Sequence, residues 1–196
     1  MARRYDPERR QRLIDAAIRV VGERGIAGLS HRAVAAEADV PLGSTTYHFA
    51  TLDDLLVAAL RQCNEAFLRE TQERGLLVAG PGGGGGHDDH GDRDDLAAEL
   101  ARFTEETVTR DRPRAQLEYE LYLAALRHEA LRPVAAEWVD LMADLLSART
   151  DPVTARALAA LVDGMCLQAL LTGRDVDREE ARAIFARVIR TAEGPR

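Results

Sequence analysis

Apolar residues recur at steps of three and four along almost the whole chain, with polar residues between them. This spacing matches one face of an α-helix, whereas the strict alternation of β-strands is nearly absent. The first such run covers residues 7–24 and carries Leu13, Ala17, Val20 and Val21 on one face. The pattern therefore predicts an all-α fold.

Capping and breaking residues divide the first 50 residues into three helices. Asp6 is a suitable N-cap for the first helix, and Gly25 ends it. Ser30 caps a short second helix, which ends at Asp39, a residue type that tolerates left-handed backbone. A third short helix is predicted over residues 41–49. Three helices of these lengths form one small N-terminal unit.

A long fourth helix is predicted from Thr51, its N-cap, through residues 52–79. It is followed by "GPGGGGGHDDHGDRDD", residues 80–95, whose glycines predict a flexible loop. Four residues of this tract have metal-ligand chemistry: His87, Asp88, Asp89 and His90. Glycine-flanked polar sequence lacks the rigidity that fixes ligand geometry, so we expect neither a metal nor a cofactor there.

Five further helices are predicted in the second part of the chain, punctuated by proline and glycine. Their approximate ranges are 96–109, 114–129, 132–149, 153–171 and 178–191. We therefore expect two domains: an N-terminal helical domain over residues 1–50, and a larger helical domain over residues 51–196 that contains the loop.

Charge is distributed unevenly over the 196 residues, whose formal net charge is -7. Residues 1–50 contain eight Arg against six Asp and Glu, while the remainder has eighteen against twenty-seven. A mildly basic end on an acidic body is compatible with phosphate contact by that end alone. We find no stretch of about 18 uncharged apolar residues and no secretory signal, which favours a cytoplasmic protein without a membrane partner.

Residues 30–49 have the spacing of a helix-turn-helix, in which two short helices are joined by about four residues. A recognition helix needs short side chains, so that its backbone approaches the bases, and hydroxyls that bond to phosphates or base edges. The stretch "GSTTYHF" meets this need, with Phe49 packing the helix onto the first one. The residues predicted to contact DNA are His31, Arg32, Gly43, Ser44, Thr45, Thr46, Tyr47, His48 and Thr51.

From Leu13 onward, three successive segments resemble the DNA-binding unit of the TetR family of bacterial transcriptional regulators. They read "LIDAAIRVVGERG", "LSHRAVAAEADV" and "PLGSTTYHFATLDDLL", and they cover about a quarter of the chain. The resemblance implies a dimer that binds the two half-sites of a palindromic operator, and C-terminal helices that bind a small molecule.

This sequence departs from the family pattern at contacts to the DNA backbone. Thr46 replaces the first tyrosine of the usual pair, and Leu52 replaces a lysine just inside the fourth helix. Asp39 and Pro41 replace the usual turn glycine and serine cap. Arginines at the N-terminus are candidates to supply phosphate contact instead, although a solvated arginine-rich face explains them equally well: Arg3, Arg4, Arg9 and Arg10.

The C-terminal helices offer candidates for both remaining roles that the resemblance implies. The last two helices have more apolar positions than one face can bury, which predicts a four-helix seam between two copies. The predicted seam residues are Leu158, Leu161, Val162, Met165, Ala169, Phe185, Val188 and Ile189. Aromatic side chains and one methionine on the middle helices predict a small-molecule site, although ordinary core packing explains them as well: Phe103, Tyr119, Tyr122, Trp138 and Met142.

These features favour a ligand-responsive transcriptional repressor that a small molecule releases from its operator. A transcriptional activator of the same fold and a helical interaction protein without DNA binding are the alternatives. An enzyme is not expected, because the sequence has no glycine-rich phosphate loop, nucleophile motif or catalytic metal spacing.

Overall fold

The computed structural model describes residues 7–73 and 89–191, and every regular element among them is helical. The all-α prediction is confirmed. In chain order the α-helices of the described residues are α1 (Pro7–Arg24), α2 (His31–Glu37), α3 (Leu42–His48), α4 (Leu52–Glu73), α5 (Asp89–Thr109), α6 (Arg112–Leu123), α7 (Arg132–Ser147), α8 (Pro152–Thr172) and α9 (Arg178–Thr191). Short 3-10 turns occupy Ile26–Gly28, Ala124–Leu126 and Glu129–Leu131.

Helix ends in the N-terminal part follow the side chains that the sequence offers as caps. Ser30 Oγ accepts a hydrogen bond from the Ala33 amide at 3.1 Å and begins α2. Thr51 and Asp54 cap α4 reciprocally: each side chain accepts from the other residue's amide, at 3.1 and 2.9 Å. Because these bonds satisfy amides that have no partner inside the helix, they fix where α2 and α4 begin.

Two predicted boundaries differ from the structure. Helix α5 begins at Asp89, so residues 89–95 are helical rather than part of a loop, while residues 80–88 lie outside the described residues. Aspartate is abundant at the start of α5, and acidic residues are favourable in the first turns of a helix. Helix α6 ends at Leu123, and the chain continues to α7 through two 3-10 turns.

The chain forms two compact units that are not continuous in sequence. The first comprises Met1–Ala66 and Gln116–Ala136, and the second comprises Phe67–Ala115 and Glu137–Arg196. The division at residue 50 that the sequence suggested stays a prediction. In the structure, the first part of α4 and the segment from α6 into α7 belong to the same compact unit as the N-terminal helices.

The core of the first unit combines helices that are distant in sequence. Leu13, Val20, Leu55 and Leu60 are at most 1% exposed. Leu121 of α6, which is 0% exposed, packs in the same cluster. Fully burying such a side chain contributes roughly 1.5–3 kcal/mol, so the segment 116–136 is an integral part of this unit.

The core of the second unit is built on α5, α8 and α9. Its fully buried members include Leu100, Leu158 and Phe185. Arg149 Nη1 pairs with Glu99 Oε2 at 2.5 Å, and both side chains are less than one fifth exposed. Because each charge is compensated by the other, this largely buried pair is tolerated at the edge of the apolar core.

Candidate functional site

Helices α2 and α3 are joined by a turn over residues 38–41. Asp39 adopts φ 52°, the left-handed conformation expected for a residue that breaks the second helix. The Val40 amide donates to Ala35 O at 3.0 Å, and Val34 and Ala35 face the core with 0% and 5% exposure. A small residue at position 35 lets the two helices approach closely, which is the geometry of a helix-turn-helix.

Helix α3 presents part of its predicted contact set to solvent and buries the rest. Gly43, Thr46 and Tyr47 are exposed, with Tyr47 at 49%. Ser44 and Thr45 are only 2% and 0% exposed, and the Thr45 hydroxyl donates to Leu42 O at 2.7 Å. These two side chains pack inside the first unit, so they are not part of the outward surface of α3.

The end of α3 carries three consecutive rings in different environments. The Tyr47 and His48 rings meet edge to face, with centroids 5.0 Å apart. His48 is half-buried, whereas Phe49 is 2% exposed and packs in the first unit's core, as its predicted packing role requires. A phenol is thereby held at the surface beside an imidazole, on a helix end that the Phe49 ring anchors.

The remaining residues predicted to contact DNA lie at the starts of α2 and α4. Arg32 is exposed and His31 is half-buried. Thr51 is exposed, and because its oxygen accepts from the Asp54 amide, its own hydroxyl proton remains able to donate. A role in DNA contact stays a prediction for each of these residues.

The segment 116–136 is attached to the N-terminal helices by polar contacts as well as by its apolar packing. Glu120 Oε1 accepts from the Ile26 amide at 2.7 Å, next to Gly25 at φ 69°. His128 Nδ1 lies 2.8 Å from Asp53 Oδ1, in the first turn of α4. The sequence pattern offered no signal for these contacts, because the partners lie 94 and 75 residues apart.

The second unit contains a cluster of three aromatic rings. Phe67 meets Phe103 and Trp138 edge to face, with centroid distances of 5.8 and 5.3 Å. Phe103 is buried, while Phe67, Trp138 and Met142 are half-buried. Two residues of the predicted small-molecule site, Phe103 and Trp138, are thus brought together by Phe67, which is not among the residues predicted from the sequence.

The other two aromatic candidates lie in the first unit. Tyr119 and Tyr122 meet edge to face on α6, with centroids 6.5 Å apart, and both are half-buried. They are neighbours on one helix, a contact that the spacing of three residues allows.

The predicted seam residues divide by their burial within one protomer. Leu158, Ala169, Phe185 and Ile189 are 0–5% exposed, so they are unavailable to a second copy. The other four are half-buried and pack against the second unit's core: Leu161, Val162, Met165 and Val188. The broad apolar pattern of α8 and α9 therefore reflects the protomer's own core to a large extent.

A different face of α8 remains uncovered. Its residues are spaced by three and four, are small or apolar with one exception, and are exposed or half-exposed: Val153, Ala157, Ala160, Gly164, Gln168 and Leu171. We call this set the α8 stripe. Val153 and Leu171 are 79% and 77% exposed.

Helix α8 is also long and apolar enough to cross a membrane by length and composition, although it contains the charged residues Arg156 and Asp163. A helix at the core or interface of a water-soluble protein passes the same test, so the finding is weak evidence for a membrane. Only 28% of its most apolar 18-residue stretch is buried, so much of the surface of α8 is uncovered in one protomer.

Two family models match the chain over most of its length. Residues 13–59 match the model for bacterial regulatory proteins of the tetR family, and residues 91–191 match a tetracyclin repressor-like C-terminal domain. The chain belongs to the TetR family of transcriptional regulators. The helix-turn-helix of α2 and α3 is accordingly its DNA-binding element.

Other TetR-family proteins are similar to this one over nearly the whole chain. The multidrug binding protein EbrR, complexed with imidazole, is 62% identical, with a TM-score of 0.82 over 94% of this chain and 96% of that one. EbrR has also been solved with ethidium, malachite green and proflavin. A TetR-family member of Streptomyces coelicolor, SCO1917, is 62% identical with a TM-score of 0.78, covering 93% of this chain and 99% of that one. The HTH-type transcriptional regulator PksA of Bacillus subtilis is 27% identical over 94% of this chain and 90% of its own length.

Two departures from the TetR pattern have different structural settings. Thr46 is exposed on α3, and its side chain is shorter than the tyrosine that it replaces in the family pattern. Leu52 is half-buried and packs against the first unit's core. The fourth helix therefore gains an apolar contact at the position where TetR-family proteins usually place a cation.

Proposed function

We propose that this TetR-family regulator represses transcription as a homodimer on a palindromic operator and is released by a small aromatic cation. The observation that carries the DNA-binding part is the surface of α3, which holds Tyr47 outward while Phe49 anchors the helix. Hydrogen bonds from such side chains to phosphates fix the register of a recognition helix in the major groove. The protein would then act on chromosomal DNA in the cytoplasm.

The DNA contact is tested with a mobility-shift assay on DNA from beside the protein's own gene. Tyr47→Ala is expected to abolish the shift, because the phenol is lost from the exposed surface of α3. Leu126→Ala is the matched control, since Leu126 is 74% exposed in the same unit but far from α3 in sequence. Unchanged DNA affinity of Tyr47→Ala, at unchanged dimer mass, would contradict the proposed orientation of α3.

Dimerisation is proposed through the α8 stripe. Exposed apolar residues that line one helix face are unfavourable in water and are typical of an interface. Small residues at the centre of the stripe, Ala157, Ala160 and Gly164, allow another helix to approach closely. A two-fold dimer would present two copies of α3 to successive major grooves about 34 Å apart.

The ligand class is proposed from the aromatic cluster together with the ligands of EbrR. Ethidium, malachite green and proflavin are cations with aromatic ring systems, and rings of this kind pack against aromatic side chains. Phe67, Phe103 and Trp138 provide such side chains in the second unit, with Met142 one turn beyond Trp138. A flexible thioether next to aromatic rings suits ligands of varied shape.

Ligand binding is tested by titrating ethidium and following tryptophan emission. Trp138 is the only tryptophan in the sequence, so a change in emission reports on the cluster itself. Phe67→Leu is expected to weaken ethidium binding by up to about tenfold, because it removes an aromatic ring on which the ligand would pack, a contact worth about 0.5–1.5 kcal/mol. Phe185→Leu makes the same change outside the cluster and is expected to keep the affinity; equal affinity of both variants would contradict this assignment.

Regulation is tested by adding ethidium to the protein–DNA complex and by a reporter assay. Release needs only that ethidium binds the DNA-incompetent state more tightly, typically by a coupling of about 1–3 kcal/mol. The reporter is expected to rise when the regulator's gene is deleted. A fall on deletion would identify an activator, and unchanged DNA affinity with ethidium bound would contradict ligand-controlled release.

A further inference from the structure

Arg10, in the first turns of α1, lies directly against the end of the recognition helix. Its guanidinium carbon is 5.0 Å from the centroid of the Phe49 ring. Phe49 is the C-cap residue of α3 and follows Tyr47 and His48 in sequence. The contact therefore places a cation next to the end of α3 that carries the exposed phenol.

The helical register of α1 explains why Arg10 takes this position. It lies three and four residues before Leu13 and Ile14, which are 0% and 3% exposed, so it belongs to the buried face of α1. Arg12 lies on the opposite face and is exposed. The backbone thus directs Arg10, and not Arg12, across the first unit's core to Phe49.

The contact leaves the hydrogen-bonding groups of Arg10 available. A cation–π contact with a ring face does not require the N–H donors of a guanidinium to bond to another protein group. Among the residues that the structure describes, no carboxylate pairs with Arg10, whereas Arg19 on the same helix is paired with Glu37 at 2.6 Å. Arg10 is therefore a cation held in place, whose donors meet no carboxylate among the described residues.

We propose that Arg10 is a DNA phosphate contact, positioned by Phe49, that supplies the positive charge absent from Leu52. This inference rests on the DNA-binding function of α3. An arginine is suited to this role because its planar donors match phosphate oxygens. Packing on Phe49 reduces the side-chain freedom that a mobile arginine would lose on binding.

The test measures affinity for a fluorescent duplex of about 30 base pairs of mixed sequence between about 50 and 200 mM salt. A phosphate contact does not depend on base sequence, so no operator is needed. Arg10→Ala is expected to bind more weakly, and the slope of log affinity against log salt is expected to decrease by about 0.9 per protomer in contact. The ratio of wild-type DNA affinity to Arg10→Ala affinity is then expected to fall about three- to fourfold per contact as the salt concentration rises across this range.

Two variants distinguish a phosphate contact from a packing role. Arg10→Lys keeps the charge and is expected to restore most of the salt slope. Arg12→Ala removes the same charge from the exposed face of α1 and is expected to leave the slope unchanged. Weaker binding by Arg10→Ala with an unchanged slope would overturn the proposal, as would an equal slope change in Arg12→Ala. If the wild-type protein did not bind the duplex at all, this would instead contradict the DNA-binding function of α3 on which the inference rests.

Discussion

The two units differ in how completely one chain covers its own apolar surface. In the first unit, the inner faces of α1, α2 and α4 and the segment 116–136 close a single core. In the second unit, α8 contributes one face to the core and leaves the α8 stripe uncovered. The first unit thus closes its core within one protomer, whereas the second leaves the α8 stripe exposed, a surface that the proposed dimer would cover. A mutation in the first unit is therefore expected to remove DNA contact without affecting assembly.

The largest expected effect comes from blocking the α8 stripe with Gly164→Arg. A Cβ atom added at Gly164 meets nothing within 4 Å in the protomer, so we expect one chain to tolerate the substitution. A buried charge at a dimer seam is not tolerated, and we expect light scattering to give the monomer mass. Operator affinity is expected to fall more than 100-fold, because two linked half-site contacts become one.

Ala136→Arg is the control for Gly164→Arg, since it adds the same charge at an exposed position of α7. It is expected to keep the mass and the operator affinity of the wild type. A dimeric Gly164→Arg with full DNA affinity would show that the α8 stripe is not the seam.

A smaller effect is expected when a buried side chain of the segment 116–136 is truncated in the first unit's core. Leu121→Ala removes a fully buried side chain and is expected to lower the free energy of unfolding by about 2–5 kcal/mol. DNA binding should be lost at lower urea concentration than in the wild type, although Leu121 is distant from α3 in sequence. Leu123→Ala, at a position 36% exposed, is expected to change the free energy of unfolding little. If both variants unfolded at the same urea concentration, the segment 116–136 would not be an integral part of the first unit's core.

A weaker contact, between the segment 116–136 and the N-terminal helices, is tested by Glu120→Gln. The amide oxygen can still accept from the Ile26 amide, but the charge that strengthens this 2.7 Å bond is lost. We expect unfolding to become easier by about 1 kcal/mol or less, because the side chain is exposed. Glu129→Gln, in the same segment and at a residue that pairs with the exposed Arg132 at 2.9 Å, is the control. A larger destabilisation in the control would contradict a special role for Glu120.

The sequence predicted features that depend on neighbouring residues, but not those that depend on packing between distant residues. Local signals succeeded: Ser30 and Thr51 cap helices, and Asp39 takes the left-handed conformation. These outcomes depend on a few neighbouring residues. The burial of Ser44 and Thr45 was not predicted, because small hydroxyl residues fit both a DNA surface and a tight helix contact. Which side they face depends on packing partners elsewhere in the chain.

Contacts between residues that are distant in sequence could not be predicted from the pattern of apolar and polar positions. Helical periodicity shows that a face of α8 is apolar, but not that Leu158 belongs to the protomer's core while Gly164 lies in the uncovered stripe. Likewise, nothing in the sequence links Glu120 to Ile26, or Phe67 to Trp138. These contacts follow from how the helices pack, which one sequence does not specify position by position.

The smallest expected effect concerns Asp151, the N-cap of α8. Hydrogen bonds from the Thr154 side chain, and from the Thr154 and Val153 amides at 3.1 and 3.0 Å, lower the pKa of this carboxyl group below its ordinary value. A lowered pKa in the folded state means that the ionised group stabilises the fold above its unfolded pKa of about 3.9. This contribution is lost as the pH falls through the lower, folded value.

Asp151→Asn keeps an oxygen acceptor at the cap but cannot ionise. We therefore expect the variant to melt below the wild type at pH 7, and the difference in melting temperature to shrink as the pH falls below about 4. Asp144→Asn, at an exposed position of α7, controls for the loss of one negative charge. A difference for Asp151→Asn that stays constant with pH would show that the cap acts through geometry alone. In that case the ionised carboxylate adds nothing to the stability of the helix that carries the uncovered stripe.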